Sequence, residues 1–208
     1  MALEYARPPT WSSVPLKWLL ASLVLVSASP SAGSAQARPS AFETLDLSLT
    51  VLADVSHGAL HRYWSPGPAV AVGVALPFYL GTVETGVQYA HPGALRDDVP
   101  GFRSLFVFAG WGGEHDLGSA LRAGGGFRVG VMALRFDGDT LPAFRRRESE
   151  LGVAARATLR WMPRGSWFAE SSVTYQSILT HHRMEQVFLS AGLGRRFGTP
   201  AWLRDFLD

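Results

Sequence analysis

From residue 43 to residue 197 the chain alternates apolar residues with small or polar ones in eight successive blocks. In the last block Val187, Leu189, Ala191, Leu193 and Phe197 fall on one face, with Gln186, Ser190, Gly192, Gly194 and Arg196 on the other. Successive side chains of a strand point to opposite sides of its sheet, so a period of two predicts strand and excludes helix. Each block is about ten residues or slightly longer, the length a tilted strand needs to cross a bilayer. Eight such blocks predict an all-β fold, an eight-stranded antiparallel up-and-down transmembrane β-barrel.

The first block, Glu43 to Asp54, sets Leu45, Leu47, Leu49 and Val51 against Asp46, Ser48 and Thr50. The fourth, Phe102 to Gly112, is apolar on both faces, so the pattern does not orient it. Connections after the first, third and fifth blocks are long, at residues 55–67, 91–101 and 137–147. Those after the second, fourth and sixth are tight, around Phe78, at residues 113–117 and at residues 162–165. Alternating loop lengths are expected of an outer-membrane barrel with both termini in the periplasm. A soluble, lipocalin-like binding barrel would alternate too, with its two faces exchanged. Two features favour the membrane. Aromatics gather near block ends (Tyr89, Trp111, Trp161, Trp167, Tyr175, Phe197), where an interfacial girdle would lie. The apolar face also carries few charges, and its exceptions, Arg135 and Arg195, sit close to block ends, where headgroups are in reach.

The ends of the chain bound its route. Arg7 and Lys17 precede the almost wholly apolar run Trp18 to Val26, and Ala35-Gln36-Ala37 has the small-x-small form of a cleavage site. The expected organisation is a signal peptide at 1–37, a short periplasmic segment at 38–42, the barrel at 43–197 and a periplasmic tail at 198–208. Signal-dependent export to the cell outer membrane of a Gram-negative envelope follows from that reading. There is no cysteine, which excludes disulfides, thiolate chemistry and lipoprotein acylation. A net charge of +2 is too balanced to argue for nucleic acid.

The block Val187 to Phe197 resembles the C-terminal assembly signal of the OmpA/OmpX-type small outer-membrane β-barrel superfamily. The resemblance covers roughly residues 43–197 as pattern rather than identity. It implies that Leu189, Ala191, Leu193 and Phe197 are read by the barrel-assembly machinery. The family's signal normally ends the chain, whereas this chain continues from Gly198 to Asp208. Family roles range over adhesion, envelope anchoring, stress resistance and lipid A modification, so membership does not select one.

Glu84, Arg122, Arg128, Glu150, Arg156, Arg160 and Glu170 share the inward parity. Unpaired charges in a low-dielectric lumen are costly, so these are expected to pair into a structural Arg–Glu network rather than to line an ion path. Ser177, His181 or His182, and Glu185 invite comparison with lipid A deacylases, but the closely spaced His-x-Ser of those enzymes is absent, since Tyr175 stands two before Ser177. His57, His61, His181 and His182 have no metal-binding spacing, so neither a metal nor another cofactor is expected. Arg145, Arg146 and Arg147, in the third outer loop, could clamp lipopolysaccharide phosphates. The reading is a non-enzymatic, monomeric, envelope-structural or surface-interaction barrel, with outer-membrane lipid and lipopolysaccharide as partners. A narrow transport pore and a lipid-modifying enzyme are the alternatives.

Overall fold

The computed structural model describes residues 42–56, 59–137, 147–163, 165–179 and 184–207. The expected signal segment, residues 1–37, lies outside the described residues. Eight strands form the wall: β1 (Thr44–Asp54), β2 (Pro68–Phe78), β3 (Gly81–Ala90) and β4 (Phe102–Asp116). They continue with β5 (Leu121–Phe136), β6 (Arg147–Trp161), β7 (Trp167–Ile178) and β8 (Met184–Gly198). Each pairs antiparallel with its neighbours in sequence, and β1 pairs with β8 from Thr44 opposite Gly198 to Asp54 opposite Phe188. Closure gives every wall strand a partner on both sides. The Thr199 amide donates to the Glu43 carbonyl at 3.0 Å, and a short helix, α1 (Ala201–Leu207), follows.

The faces decide between membrane and soluble barrel. Leu49, Val51, Val129, Val131, Leu151 and Leu193 are each more than two-fifths exposed on the outer wall. Asp46, Arg128, Arg160 and Glu170 are each less than one-tenth exposed inside it. An apolar exterior around a charged interior is the arrangement of a transmembrane barrel, and the soluble alternative would need the reverse. Trp111, Trp161, Trp167 and Phe197 gather on the outer face toward the end that carries both termini. There Arg195 lies 5.5 Å from the Trp167 ring and 5.1 Å from the Phe197 ring, an outward arginine held by aromatic faces.

Two local expectations need correction. β4 does not end at Gly112 but runs to Asp116, pairing Glu114 with Gly124 and Asp116 with Arg122, so the tight connection falls at residues 117–120. Backbone ladder bonds between facing glycines (Gly112 with Gly126, Gly113 with Gly125) carry the strand through a stretch that reads as a turn. Arg147 is the first residue of β6 rather than part of a loop. The two long connections before β2 and β4 carry structure of their own. Trp64–Ser65 pairs with Gly93–Ala94, and Ala59–Arg62 forms a single 3-10 turn. Trp64 anchors this cap, its ring edge-on to Phe102 at 5.4 Å and its Nε1 donating to the Pro100 carbonyl at 2.8 Å.

The lumen has two halves. Toward the loop end, Phe102, Phe106, Phe108, Met132, Leu134 and Ile178 form one buried apolar cluster. Leu52, Ala69, Ala71, Ala90 and Phe188 form a second. This explains why β4 is apolar on both faces: its odd-numbered side chains face outward and its even-numbered phenylalanines fill the loop-end core. Toward the end with the termini, the interior is charged.

Candidate functional site

The inward parity of seven strands brings the lumen charges to one level. Arg128 donates from Nε and Nη2 to the two Glu84 oxygens at 2.7 and 2.9 Å, a bidentate pair. Arg156 bridges Glu84 at 3.4 Å and Glu170 at 2.9 Å. Arg160 donates to Glu170 at 3.3 Å and to Asp46 at 3.2 Å, and its Nη1 lies 2.7 Å from Glu114. Arg196 closes the chain on Asp46 at 2.7 and 2.9 Å. The series Arg128–Glu84–Arg156–Glu170–Arg160–Asp46–Arg196, with Glu114 on Arg160, balances four guanidinium groups with four carboxylates.

Aromatic faces complete the packing, with Arg128 4.2 Å from the centre of the Phe108 ring and Arg160 4.5 Å from that of Phe168. Gly194 makes room for Phe168, since a Cβ there would lie 2.1 Å from the ring. Gly110 does the same for the Glu84–Arg128 pair, where a Cβ would lie 3.0 Å from Glu84 Oε1 and 3.1 Å from Arg128 Cγ. One cavity of about 20 Å³ lies among Asp46, Glu84, Arg128, Arg156, Arg160 and Glu170, and another of about 50 Å³ lies against Gly112, Glu114 and Gly126. These hold a few water molecules at most.

Not every expected charge joins this network. Arg122 sits at its edge, 2.7 Å from Asp116 and 3.8 Å from Glu114. Glu150 has the inward parity but lies opposite Met132 in the apolar half, with no ion pair among the described residues. Conversely, Asp46, Glu114 and Arg196 belong to the network and were not among the residues expected there. Asp46 and Arg196 stand directly opposite each other across the β1–β8 closure. Both have the inward parity in the sequence, which is the signal that could have found them.

Above the charges lie further polar pairs. Gln88 donates to Gln176 at 3.4 Å, Ser172 and Ser190 share a hydrogen bond of 2.5 Å, and Gln186 donates to Asp54 at 3.0 Å. At the loop end Ser56 Oγ meets both Asp54 Oδ1 and His61 Nε2, the latter at 2.9 Å, while His61 Nε2 lies 3.4 Å from the same Asp54 oxygen. A nucleophilic relay needs the carboxylate on the second ring nitrogen of the histidine, so this triangle is a loop lock and not a triad. Ser177 faces Glu185 across β7 and β8, whereas His181 and His182 lie outside the described residues. Among the described residues no group of three or more acidic or histidine side chains is placed to hold a metal ion.

The arginines expected to meet lipid divide likewise. Arg145 and Arg146 lie outside the described residues, and Arg147 opens β6 on the outer parity. Of the residues expected to form the assembly signal, Leu189, Leu193 and Phe197 are exposed on the outer face of β8, the strand that closes the barrel onto β1, and Ala191 shares that face.

No known family profile and no curated protein matches the sequence. Solved structures do. Neisserial surface protein A (NspA) aligns over 74% of this chain and 96% of its own, with a TM-score of 0.56 and 12% identity. The N-terminal barrel domain of Pseudomonas aeruginosa OprF aligns over 76% and 99%, with a TM-score of 0.52 and 13% identity. Ail of Yersinia pestis, the attachment invasion locus protein, solved with the heparin analogue sucrose octasulfate, aligns over 74% and 97%, with a TM-score of 0.50 and 14% identity. At such low identity the shared property is the fold. The chain has the fold of the small eight-stranded outer-membrane β-barrels.

Proposed function

We propose that this protein is a non-enzymatic outer-membrane barrel with an envelope-structural or surface-interaction role, carried by its loop end. The observation that supports it is the filled lumen. A charge network with matched partners lies below two apolar clusters, and two cavities among its side chains measure about 20 and 50 Å³. An interior of this kind holds a wall together and argues against a path for solute. What remains available for interaction is the rim, where the Trp64 cap orders two of the long connections. The names of two similar barrels, a surface protein and an attachment invasion locus protein, are in keeping with this reading. Export through residues 1–37, insertion through the outward residues of β8, and a monomeric state belong to the same proposal.

The test is single-channel recording of the purified protein in planar bilayers. No discrete conductance steps are expected over the range used for small porins. Reproducible steps that disappear in a variant of the charge network would overturn the reading in favour of a narrow pore.

A further inference from the structure

We propose that Arg103, Arg135 and Arg147 form a binding row for the phosphate groups of a lipid in the leaflet on the loop side of the barrel. The three residues are scattered in sequence, but strand register aligns them. Arg103 on β4 stands opposite Arg135 on β5, and Arg135 stands opposite Arg147 on β6. All three have the outward parity and are exposed. They sit at or next to the loop ends of their strands, above the outward apolar residues Leu105, Val107, Val131 and Leu151.

Like charges directly opposite each other in a sheet destabilise it, and here Arg135 faces an arginine on both sides. Among the described residues there is little relief. Asp137 approaches Arg103 at 3.6 Å, and His91 lies 3.5 Å from the same carboxylate. Among the described residues no carboxylate pairs with Arg135 or Arg147. Three guanidinium groups against one carboxylate leave about two positive charges, which matches one phosphate monoester carrying roughly −1.5 to −2. Neighbouring strands are about 4.8 Å apart, so the row spans roughly 10 Å, a reach suited to planar forks that grip phosphate oxygens in pairs. A phosphorylated glycolipid of the lipid A class offers such monoesters at this depth, and its acyl chains would lie on the apolar wall below.

The inference rests on the membrane reading of the barrel, and the experiment separates the two. The whole protein is reconstituted into phosphatidylcholine vesicles containing either lipid A or enzymatically dephosphorylated lipid A. Lipid retained per protein after detergent extraction is counted by mass spectrometry. A folded, heat-modifiable band in every sample checks insertion, and its absence would count against the membrane reading rather than the row. Wild type is expected to retain lipid A at least fivefold over the dephosphorylated form. The variant R103Q/R135Q/R147Q should lose that excess, and R62Q/R96Q, which removes two loop arginines outside the row, should keep it. Equal retention of both lipids by wild type, an undiminished excess in the triple variant, or an equal loss in the loop control would overturn the proposal.

Discussion

The two halves of the lumen solve one packing problem by opposite means. Toward the termini, Asp46, Glu84, Glu114, Arg128, Arg156, Arg160, Glu170 and Arg196 fill the space with charges that satisfy each other through fixed geometry. Toward the loops, Phe106, Met132, Leu134, Ile178 and Phe188 fill it mainly with apolar volume. A charged interior tolerates the loss of a whole pair better than the loss of one member, because the survivor is a buried, unpaired ion. An apolar interior responds in proportion to what is cut away. The halves should therefore fail differently.

The largest effect is expected for Glu170→Ala. The Glu170 side chain is only 2% exposed and holds both Arg156 and Arg160, so its loss strands two guanidinium groups. Urea unfolding of the reconstituted barrel, followed by gel migration, should show a loss of about 3–5 kcal/mol. Met132→Ala, in the other half, should cost about 2–4 kcal/mol through the cavity it leaves. The comparison sharpens with the double variant E84L/R128M. Removing both members of the bidentate pair should change stability by no more than about 1 kcal/mol, whereas either single change should approach the Glu170 value. A double variant as damaged as the singles would show that the network acts as one unit.

The smallest effect belongs to the loop pair outside the membrane. Arg96 donates to both oxygens of Asp98 at 2.8 and 2.7 Å, and this hydrogen bond holds the Asp98 carboxyl below its usual range. A depressed folded value means the contribution is present above the ordinary aspartate range and fades as pH falls through the lowered value. Both groups are exposed, so Asp98→Asn should leave the unfolding midpoint unchanged. Only the Arg96 Nε–H resonance should lose its pH dependence.

Much of the wall was legible because the side-chain period of a strand is independent of its partners. β1 begins at Thr44 and β7 at Trp167, within a residue of where the alternation places them. Height along the barrel was not legible. Parity assigns Glu150 to the lumen, but only pairing with Met132 places it in the apolar half. Glu114 was hidden because Gly112-Gly113 carries no side-chain pattern and reads as a turn. Asp46 and Arg196 meet only through the closure of the first strand on the last, a register that no local segment encodes. The Arg103–Arg135–Arg147 row was invisible for the same reason, and the adjacent Arg145-Arg146-Arg147 run drew attention in its place.

The most direct test of the whole account is gel migration of the protein from purified outer membranes, with and without heating in SDS. A closed barrel resists SDS until boiled. The account predicts that the protein is found in that fraction and that unheated and boiled samples migrate differently. Recovery in the soluble periplasm with no shift on boiling would contradict it.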